Sequence, residues 1–240
     1  MTTKLMLGLI LTSAVIGAAS NARAELIGDV EFPQGALSFA DAVVSYTPHI
    51  DTPDPSTLTG ESPDLRWRNP NDALGTPNYV PPTTDYGLDQ FVSLGNGGEL
   101  VLQFVNNKLT GSGNANNDLY IFECGAVNEA TFVWISQDGT NWLSVGGTMA
   151  GGTRGIDIDP YLVTASLPYT TQFSYVKLQD DVNDVPAGPS GPLPYGAIAG
   201  ADIDAVGAIS SVPEPATLVL MAVAGTILVV RRRQARKNVL

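Results

Sequence analysis

The chain has 240 residues, of which 24 are acidic and 12 are Lys or Arg, so its formal net charge is −12 at pH 7. Seven of those twelve basic residues lie outside residues 25–211, which leaves that segment with 23 acidic and 5 basic side chains and a net charge of −18. A segment this acidic is repelled by nucleic acid and by anionic membrane surfaces. It is compatible with divalent cations and with a soluble extracellular surface.

The N-terminus follows the pattern of a secretory signal peptide. Lys4 provides the positive charge, residues 5–19 are apolar, and Ala22 and Ala24 are the small residues that a signal peptidase reads. We predict cleavage after Ala24, with residues 1–24 as the signal. The alternative is an uncleaved membrane helix, for which the apolar run is short.

A single cysteine and a single histidine restrict the chemistry of the segment between the termini. Cys124 cannot form an intramolecular disulfide, and its place in the apolar run 119–124 predicts burial as a small hydrophobic residue. His49 lies in a Pro- and Asp-rich stretch, where we expect a solvated loop residue. A Ser-His-Asp triad would need His49, and a zinc site would need ligands that the sequence does not offer.

Short strand patterns, separated by Gly, Asn, Asp and Pro clusters, follow one another along the chain. The apolar and β-branched patterns predict five strands, at residues 99–104, 131–136, 141–145, 175–179 and 201–209. Asp138-Gly139 predicts a hairpin turn between the second and the third of them. The continuous apolar character of 131–136 predicts a strand covered on both faces. Residues 48–82 and 182–194 are rich in Pro with Asp or Gly, and we predict long surface loops there.

Many short strands with turn residues between them indicate one all-β domain over residues 25–211, and we predict a jelly-roll β-sandwich. A barrel or another sandwich topology are the alternatives.

Carboxylates at the predicted strand ends are candidate Ca²⁺ ligands, because Ca²⁺ takes six to eight oxygen ligands. Asp202 and Asp204 are expected to share a face of the closing strand, since side chains alternate along a strand. Gly- and Asn-rich turns such as 111–117 could add carbonyl oxygens. The candidate ligands are Asp118, Glu123, Asp180, Asp202 and Asp204. The alternative is that they are solvated acidic residues at loop ends.

Two aromatic residues in the long loops, Trp67 and Tyr79, are candidates for stacking on sugars, although covering the core is an equal alternative. A glycosidase would need a pair of carboxylates about 5 to 10 Å apart in a cleft. Nothing in the sequence establishes such a pair, so we predict a protein without catalytic activity.

The C-terminus has three parts in a fixed order. Val212, Pro213, Glu214 and Pro215 precede an apolar run at 216–230, and Arg231, Arg232 and Arg233 follow it. Fifteen helical residues span roughly 22 Å, which is short of a ~30 Å hydrocarbon core unless the Arg side chains extend to the interface. Their charge predicts a cytoplasmic end, so the domain faces outward.

Residues 212–240 resemble the PEP-CTERM sorting signal. The resemblance implies recognition by an exosortase, cleavage near the Pro-Glu-Pro, a transient stay in the inner membrane, and delivery to the surface or exopolysaccharide matrix of a Gram-negative bacterium. The alternative is a plain single-pass anchor.

The domain carries a second resemblance. Its motifs at 39–44, 73–77, 92–100, 117–123, 135–142, 175–178 and 200–206 look like the surface domains that precede PEP-CTERM tails. The hairpin at 136–142 and the strand after it are similar to discoidin-like, galactose-binding-like jelly rolls. Relatives of that fold often bind carbohydrate and often hold a structural Ca²⁺. The sequence thus predicts an exported, non-catalytic binding module associated with exopolysaccharide, or else a Ca²⁺-stabilised structural matrix protein.

Overall fold

The structure, a computed structural model, describes residues 23–50, 63–80, 90–124, 129–148, 153–183 and 200–213. These residues form thirteen strands and one short helix: β1 (Glu25–Ile27), β2 (Val30–Phe32), β3 (Ala42–Thr47), β4 (Val92–Ser93), β5 (Glu99–Gln103), β6 (Asn107–Leu109), β7 (Leu119–Glu123), β8 (Thr131–Ser136), β9 (Leu143–Thr148), β10 (Arg154–Ile156), α1 (Asp159–Thr164), β11 (Tyr175–Asp180), β12 (Asp202–Ala208) and β13 (Ser211–Pro213). Three 3₁₀ turns lie at Gly35–Ser38, Leu65–Trp67 and Pro70–Ala73.

Two antiparallel sheets form the sandwich that the sequence predicted. One has five strands in the order β3-β5-β11-β8-β9, and the other has four in the order β10-β7-β12-β4. The chain passes repeatedly from one sheet to the other, as it does in jelly rolls. Two small ribbons, β1-β2 and β13-β6, complete the described strands.

The hydrophobic core lies between the two sheets because alternate residues of their strands are apolar. Leu100, Leu102, Val133, Ile135, Val176 and Leu178 of the larger sheet form one buried cluster with Leu119, Ile121, Ile203 and Val206 of the smaller sheet. Each fully buried side chain of this size stabilises the fold by roughly 1.5–3 kcal/mol.

A second apolar layer covers the outside of the four-stranded sheet. Phe32 and Phe39 pack on Phe122 of β7, with ring centroids 6.1 and 5.9 Å away. The β1-β2 hairpin that brings Phe32 there turns at Gly28 and Asp29, both with positive φ, a conformation in which a glycine is favoured. The four-stranded sheet is therefore covered on both faces.

Two local predictions are wrong in detail. Strand β8 is not covered on both faces, since Phe132 is 41% exposed. The Asp-Gly turn is not a tight two-residue hairpin, because β9 begins at Leu143 rather than at residue 141. The longer turn is held by side chains: Asp138 accepts from the backbone N–H groups of Thr140 and Asn141, and Ser136 Oγ accepts from that of Gly139.

Four predicted features lie partly or wholly outside the described residues: residues 1–22 of the signal predicted at 1–24, Glu214 and Pro215 of the sorting motif, the apolar run 216–230 and the basic cluster. None of the helices within the described ranges is long and apolar enough to cross a membrane.

Asp180 joins the two sheets through backbone hydrogen bonds. Its carboxylate, at the end of β11, accepts from Ala201 N at 2.8 Å beside β12 and from Gly97 N at 2.8 Å in the turn before β5. The side chain is buried. A buried carboxylate with two amide donors is a strong structural link, because removal of the carboxylate would leave both donors without an acceptor.

We therefore expect Asp180→Ala to lower the free energy of unfolding by about 2 to 5 kcal/mol, since two buried N–H groups lose their acceptor. Urea unfolding followed by tryptophan fluorescence measures the change. Asp181→Ala is the matched control, because among the described residues this neighbouring carboxylate accepts from Asn183 in an exposed turn. Equal losses in the two variants would contradict the bridging role.

Candidate functional site

Several aspartates of the sandwich, including the predicted ligands Asp180 and Asp204, accept hydrogen bonds from backbone N–H groups. Four carboxylates each accept from two backbone N–H groups: Asp41 from Val105 and Asn106, Asp138 from Thr140 and Asn141, Asp180 from Gly97 and Ala201, and Asp204 from Asn78 and Tyr79. Such charge-assisted hydrogen bonds compensate a carboxylate without a cation.

The five predicted Ca²⁺ ligands do not form one site. Asp118 and Glu123 stand at opposite ends of β7, about 16 Å apart for a strand of this length. Asp180 and Asp204 are occupied by backbone amides, as described above.

A β-bulge separates Asp202 from Asp204. The register of β12 against β7 shifts between Ile203 and Ala205, so the alternation changes phase at Asp204. Ile203 before the bulge and Val206 after it both lie in the main core. Asp202 and Asp204 nevertheless both lie close enough to Cys124 to raise the pKa of its thiol, so the bulge does not contradict the prediction that they share a face of the strand.

Glu123 and Asp202 lie together at one end of the four-stranded sheet. Burial raises the pKa of Glu123, and the neighbouring carboxyls of Glu129 and Asp202 raise it further. Burial likewise raises the pKa of Asp202 well above its usual range, against a hydrogen bond from Ser93. Both groups therefore favour the protonated, uncharged form. Cys124, next to them, is buried as predicted, and burial raises the pKa of its thiol.

The structure brings Asp118 together with two residues that the sequence prediction missed, Asp157 and Asp159. One carboxylate oxygen from each lies within 4.8 Å of those of the other two. Asp118 directly precedes β7, and Asp157 and Asp159 belong to the link from β10 to α1. The Ile156–Leu119 pairing of these strands places Asp157 opposite Asp118.

Hydrogen bonds only partly compensate this carboxylate cluster. Asp118 Oδ2 accepts from Ile158 N at 3.0 Å, and Asp157 Oδ1 accepts from Asp159 N at 3.0 Å. Asp118 is 0% exposed and Asp159 is 6% exposed, yet Oδ1 of each has no hydrogen-bond partner. Burial raises the pKa of Asp118; the hydroxyls of Ser210 and Ser112 and the Ile158 amide oppose this rise, while Asp159 adds to it.

Three ionised carboxylates at this spacing would repel one another strongly. At an effective dielectric constant of about 20, two unit charges separated by the upper limit of 4.8 Å repel by roughly 3 kcal/mol. Like charges placed opposite each other across two strands are destabilising for the same reason. A cation placed among the three carboxylates would offset this repulsion.

Trp67 has no free ring face to offer a sugar. It is 1% exposed and stacks on Phe91, with ring centroids 6.2 Å apart, while the Arg66 guanidinium lies 4.6 Å from its ring. Tyr79 packs on the same small cluster, which also contains Cys124. These two loop aromatics thus cover a hydrophobic cluster, which was the alternative interpretation of the sequence.

Aromatic side chains with more exposure lie on the outer face of the five-stranded sheet. Phe132 and Trp134 of β8 have ring centroids 6.1 Å apart. Lys177 Nζ on the next strand lies 4.6 Å from the Trp134 ring and 5.2 Å from the Trp142 ring. It also pairs with Glu99 at 3.4 Å. We call Phe132, Trp134, Trp142 and Lys177 the outer-face aromatic patch.

The described start of the C-terminal motif is attached to the sandwich. In strand β13, Ser211 pairs with Leu109 and Val212 with Lys108 of β6. Gln34 Nε2 donates to Ser211 Oγ at 2.7 Å. The sandwich therefore continues directly into the Val-Pro-Glu-Pro sequence.

The buried carboxyls predict how stability depends on pH. Burial raises the pKa of Asp204 to about 6, against the N–H donors of Asn78 and Tyr79. An unfolded Asp titrates near 3.9, so between these values the folded chain holds a proton that the unfolded chain has lost. The resulting stabilisation is complete below about pH 4 and is lost as the pH rises through 6.

In a chelator-containing buffer, we expect the free energy of unfolding to fall by up to about 3 kcal/mol between pH 4 and 8 because of Asp204. Asp204→Asn should remove that part of the slope. Asp138→Asn is the control, because the amides of Asn141 and Thr140 lower the pKa of Asp138, and its contribution is lost only as the pH falls. A slope that Asp204→Asn leaves unchanged would contradict the assignment.

Comparison with known proteins agrees with the C-terminal motif. A family model of the PEP-CTERM protein-sorting motif matches residues 211–234. No curated protein matches the chain. Among solved structures, the chain is similar to the C-terminal domain of a chitobiase from Bacteroides fragilis, at 13% identity and a TM-score of 0.33, over 72% of this chain and 94% of that one. The sorting motif identifies this protein as an exported surface protein with a PEP-CTERM signal for exosortase processing.

Proposed function

We propose that the mature protein is a non-catalytic binding module held at the cell surface or in its matrix, with exopolysaccharide as its ligand. The observation that carries this proposal is the PEP-CTERM motif, which begins at the last strand of the sandwich. With the motif attached so closely, the sandwich is the part of the chain that is displayed. Residence beside a polymer raises the effective concentration of a weak binder, so modest affinity suffices.

The outer-face aromatic patch is the best candidate for the sugar-binding surface. Phe132 is 41% exposed, and Trp134 and Trp142 are half-buried beside it. Aromatic rings supply rigid apolar area, and Lys177 and Glu99 at the same place supply polar groups that could orient a ligand. Since residues 25–211 carry a net charge of −18, a neutral polysaccharide suits this surface better than an anionic one.

The absence of catalysis is part of the proposal and is supported by the chemistry of the candidate groups. The pKa of the Cys124 thiol is raised by burial, which opposes formation of a nucleophilic thiolate. The carboxyl groups described above are held by backbone amides, have a pKa raised by burial, or belong to the cluster at Asp118.

A binding assay on extracted exopolysaccharide tests the function. We expect Phe132→Ala combined with Trp142→Ala to lower retention about tenfold, because each aromatic contact contributes roughly 0.5–1.5 kcal/mol. Tyr169→Ala is the matched control: this ring is also 41% exposed but lies against Gly113, away from the patch. Equal retention of the double variant and the control would reject the patch as the binding surface.

The same preparation tests the absence of catalysis. Release of reducing ends from the polysaccharide, abolished by Glu123→Gln or Asp118→Asn, would show that the protein is a glycoside-cleaving enzyme instead.

Processing of the tail gives a separate test of the sorting assignment. In cells that contain an exosortase, mass spectrometry of the mature protein should find a C-terminus near Glu214 and no residues 216–240. Replacing Arg231, Arg232 and Arg233 by Gln should leave more unprocessed chain, because the positive charges hold that end on the cytoplasmic side. Arg66→Gln in the sandwich is the control and should be processed normally. An intact tail ending at Leu240 in the parent protein would contradict the assignment.

A second candidate function is a structural matrix protein that is stabilised by Ca²⁺ and does not bind sugar. The carboxylate cluster of Asp118, Asp157 and Asp159 is the observation that favours it.

A further inference from the structure

The cluster of Asp118, Asp157 and Asp159 lies where three segments of the chain meet. Asp118 directly precedes β7, while Asp157 and Asp159 follow β10, the strand paired with β7. The third segment is the loop after β6, where Ser112 Oγ lies 3.4 Å from Asp159 Oδ2. All three carboxylates offer an oxygen within 4.8 Å of the others.

The supply of hydrogen-bond donors distinguishes this cluster from Asp41, Asp180 and Asp204. Asp41, Asp180 and Asp204 each have two backbone N–H donors. Asp118 and Asp159, although almost completely buried, each keep an Oδ1 atom without any partner. The ion pairs seen between described residues, Arg66–Asp64 and Lys177–Glu99, do not involve the cluster.

The backbone of the loop after β6 lies very close to the cluster at Gly111, a residue without a side chain. A Cβ atom built on Gly111 would lie 2.1 Å from Asp159 Oδ1. Any residue other than glycine would therefore push into the space beside this unpartnered oxygen.

We propose that Asp118, Asp157 and Asp159 bind one Ca²⁺ ion. Every side-chain atom that the cluster offers is a hard oxygen, which suits Ca²⁺ and Mg²⁺ rather than Zn²⁺ or copper. Ca²⁺ fits better because it accepts irregular geometry and completes its shell with loop carbonyls and water, whereas Mg²⁺ needs near-ideal octahedral ligands. The attraction of each carboxylate to the ion would outweigh the repulsion among the three carboxylates.

Binding would tie together the start of β7, the link before α1 and the loop after β6. Sites of this kind in extracellular modules have dissociation constants of about 10⁻⁴–10⁻³ M, which matches the exported location of this protein. The site holds under either function considered above, since it stabilises the sandwich whether or not the outer face binds sugar.

Thermal unfolding and calorimetric titration of the purified full-length chain in a mild detergent test the proposal. The parent should bind one Ca²⁺ by calorimetry, and its melting temperature should rise with Ca²⁺ from 0.1 to 10 mM above that in EDTA. Asp159→Asn should weaken binding at least tenfold, so its melting curve responds only at ten times higher Ca²⁺. In EDTA it should melt no lower than the parent, because it removes a repelling charge. Gly111→Ala provides a second variant and should also lose the Ca²⁺ response.

Asp202→Asn is the matched control, because Asp202 is another buried aspartate with an unpartnered Oδ1 atom, at the opposite end of the sheet. It should keep the full Ca²⁺ response. The proposal is overturned if the parent shows no bound Ca²⁺ and the same melting temperature with Ca²⁺ and EDTA, or if Asp202→Asn rather than Asp159→Asn removes the response. Equal stabilisation by Mg²⁺ would overturn the assignment to Ca²⁺.

Discussion

Pairs of backbone N–H groups hold the aspartates on which this sandwich depends. A domain with 23 acidic and 5 basic residues cannot compensate its carboxylates with ion pairs. Asp180 instead ties β11 to the turn before β5 and to the start of β12, and Asp204 fixes the loop at Asn78 and Tyr79. Loops that would otherwise carry unsatisfied amides are thereby anchored, and the carboxylates remain compensated.

Some buried carboxyl groups of the sandwich lack such a pair of backbone N–H donors. Glu123 and Asp202 escape the need for compensation because burial favours their neutral forms. Asp118, Asp157 and Asp159 are different, since three carboxylates meet there with too few donors. Export through the membrane brings the chain into surroundings where Ca²⁺ can supply the missing positive charge. If the proposed site binds Ca²⁺, sorting and stability are connected, because the C-terminal motif takes the chain to where the ion is present.

The fold could be predicted from the sequence to a large extent, because strand patterns are local. Strand β11 and the closing strand β12 lie where alternation and apolar runs placed them. The site could not be predicted in the same way. Asp157 lies opposite Asp118 because of the register in which β10 pairs with β7. The alternation of side chains along β12 is interrupted at Asp204 by a β-bulge. Neither the strand register nor the bulge can be predicted from the neighbouring residues in the sequence.

The burial of the loop aromatics could not be predicted from the local sequence either. Trp67 looked available because its neighbours in sequence are polar and Pro-rich, whereas its actual contacts, Phe91 and Cys124, are distant along the chain. An Asp-x-Asp sequence directly after a strand, as at Asp157 and Asp159, is the one local signal that could have pointed to the carboxylate cluster.

An anomalous difference map from crystals grown with Mn²⁺ or Tb³⁺ in place of Ca²⁺ tests the central claim most directly, because it shows where the sandwich leaves negative charge uncompensated. The account predicts one peak within about 2.0–2.6 Å of carboxylate oxygens from Asp118, Asp157 and Asp159, and none at the amide-bound Asp180 or Asp204. A peak at Asp180 or Asp204, or no peak at the cluster, would contradict it.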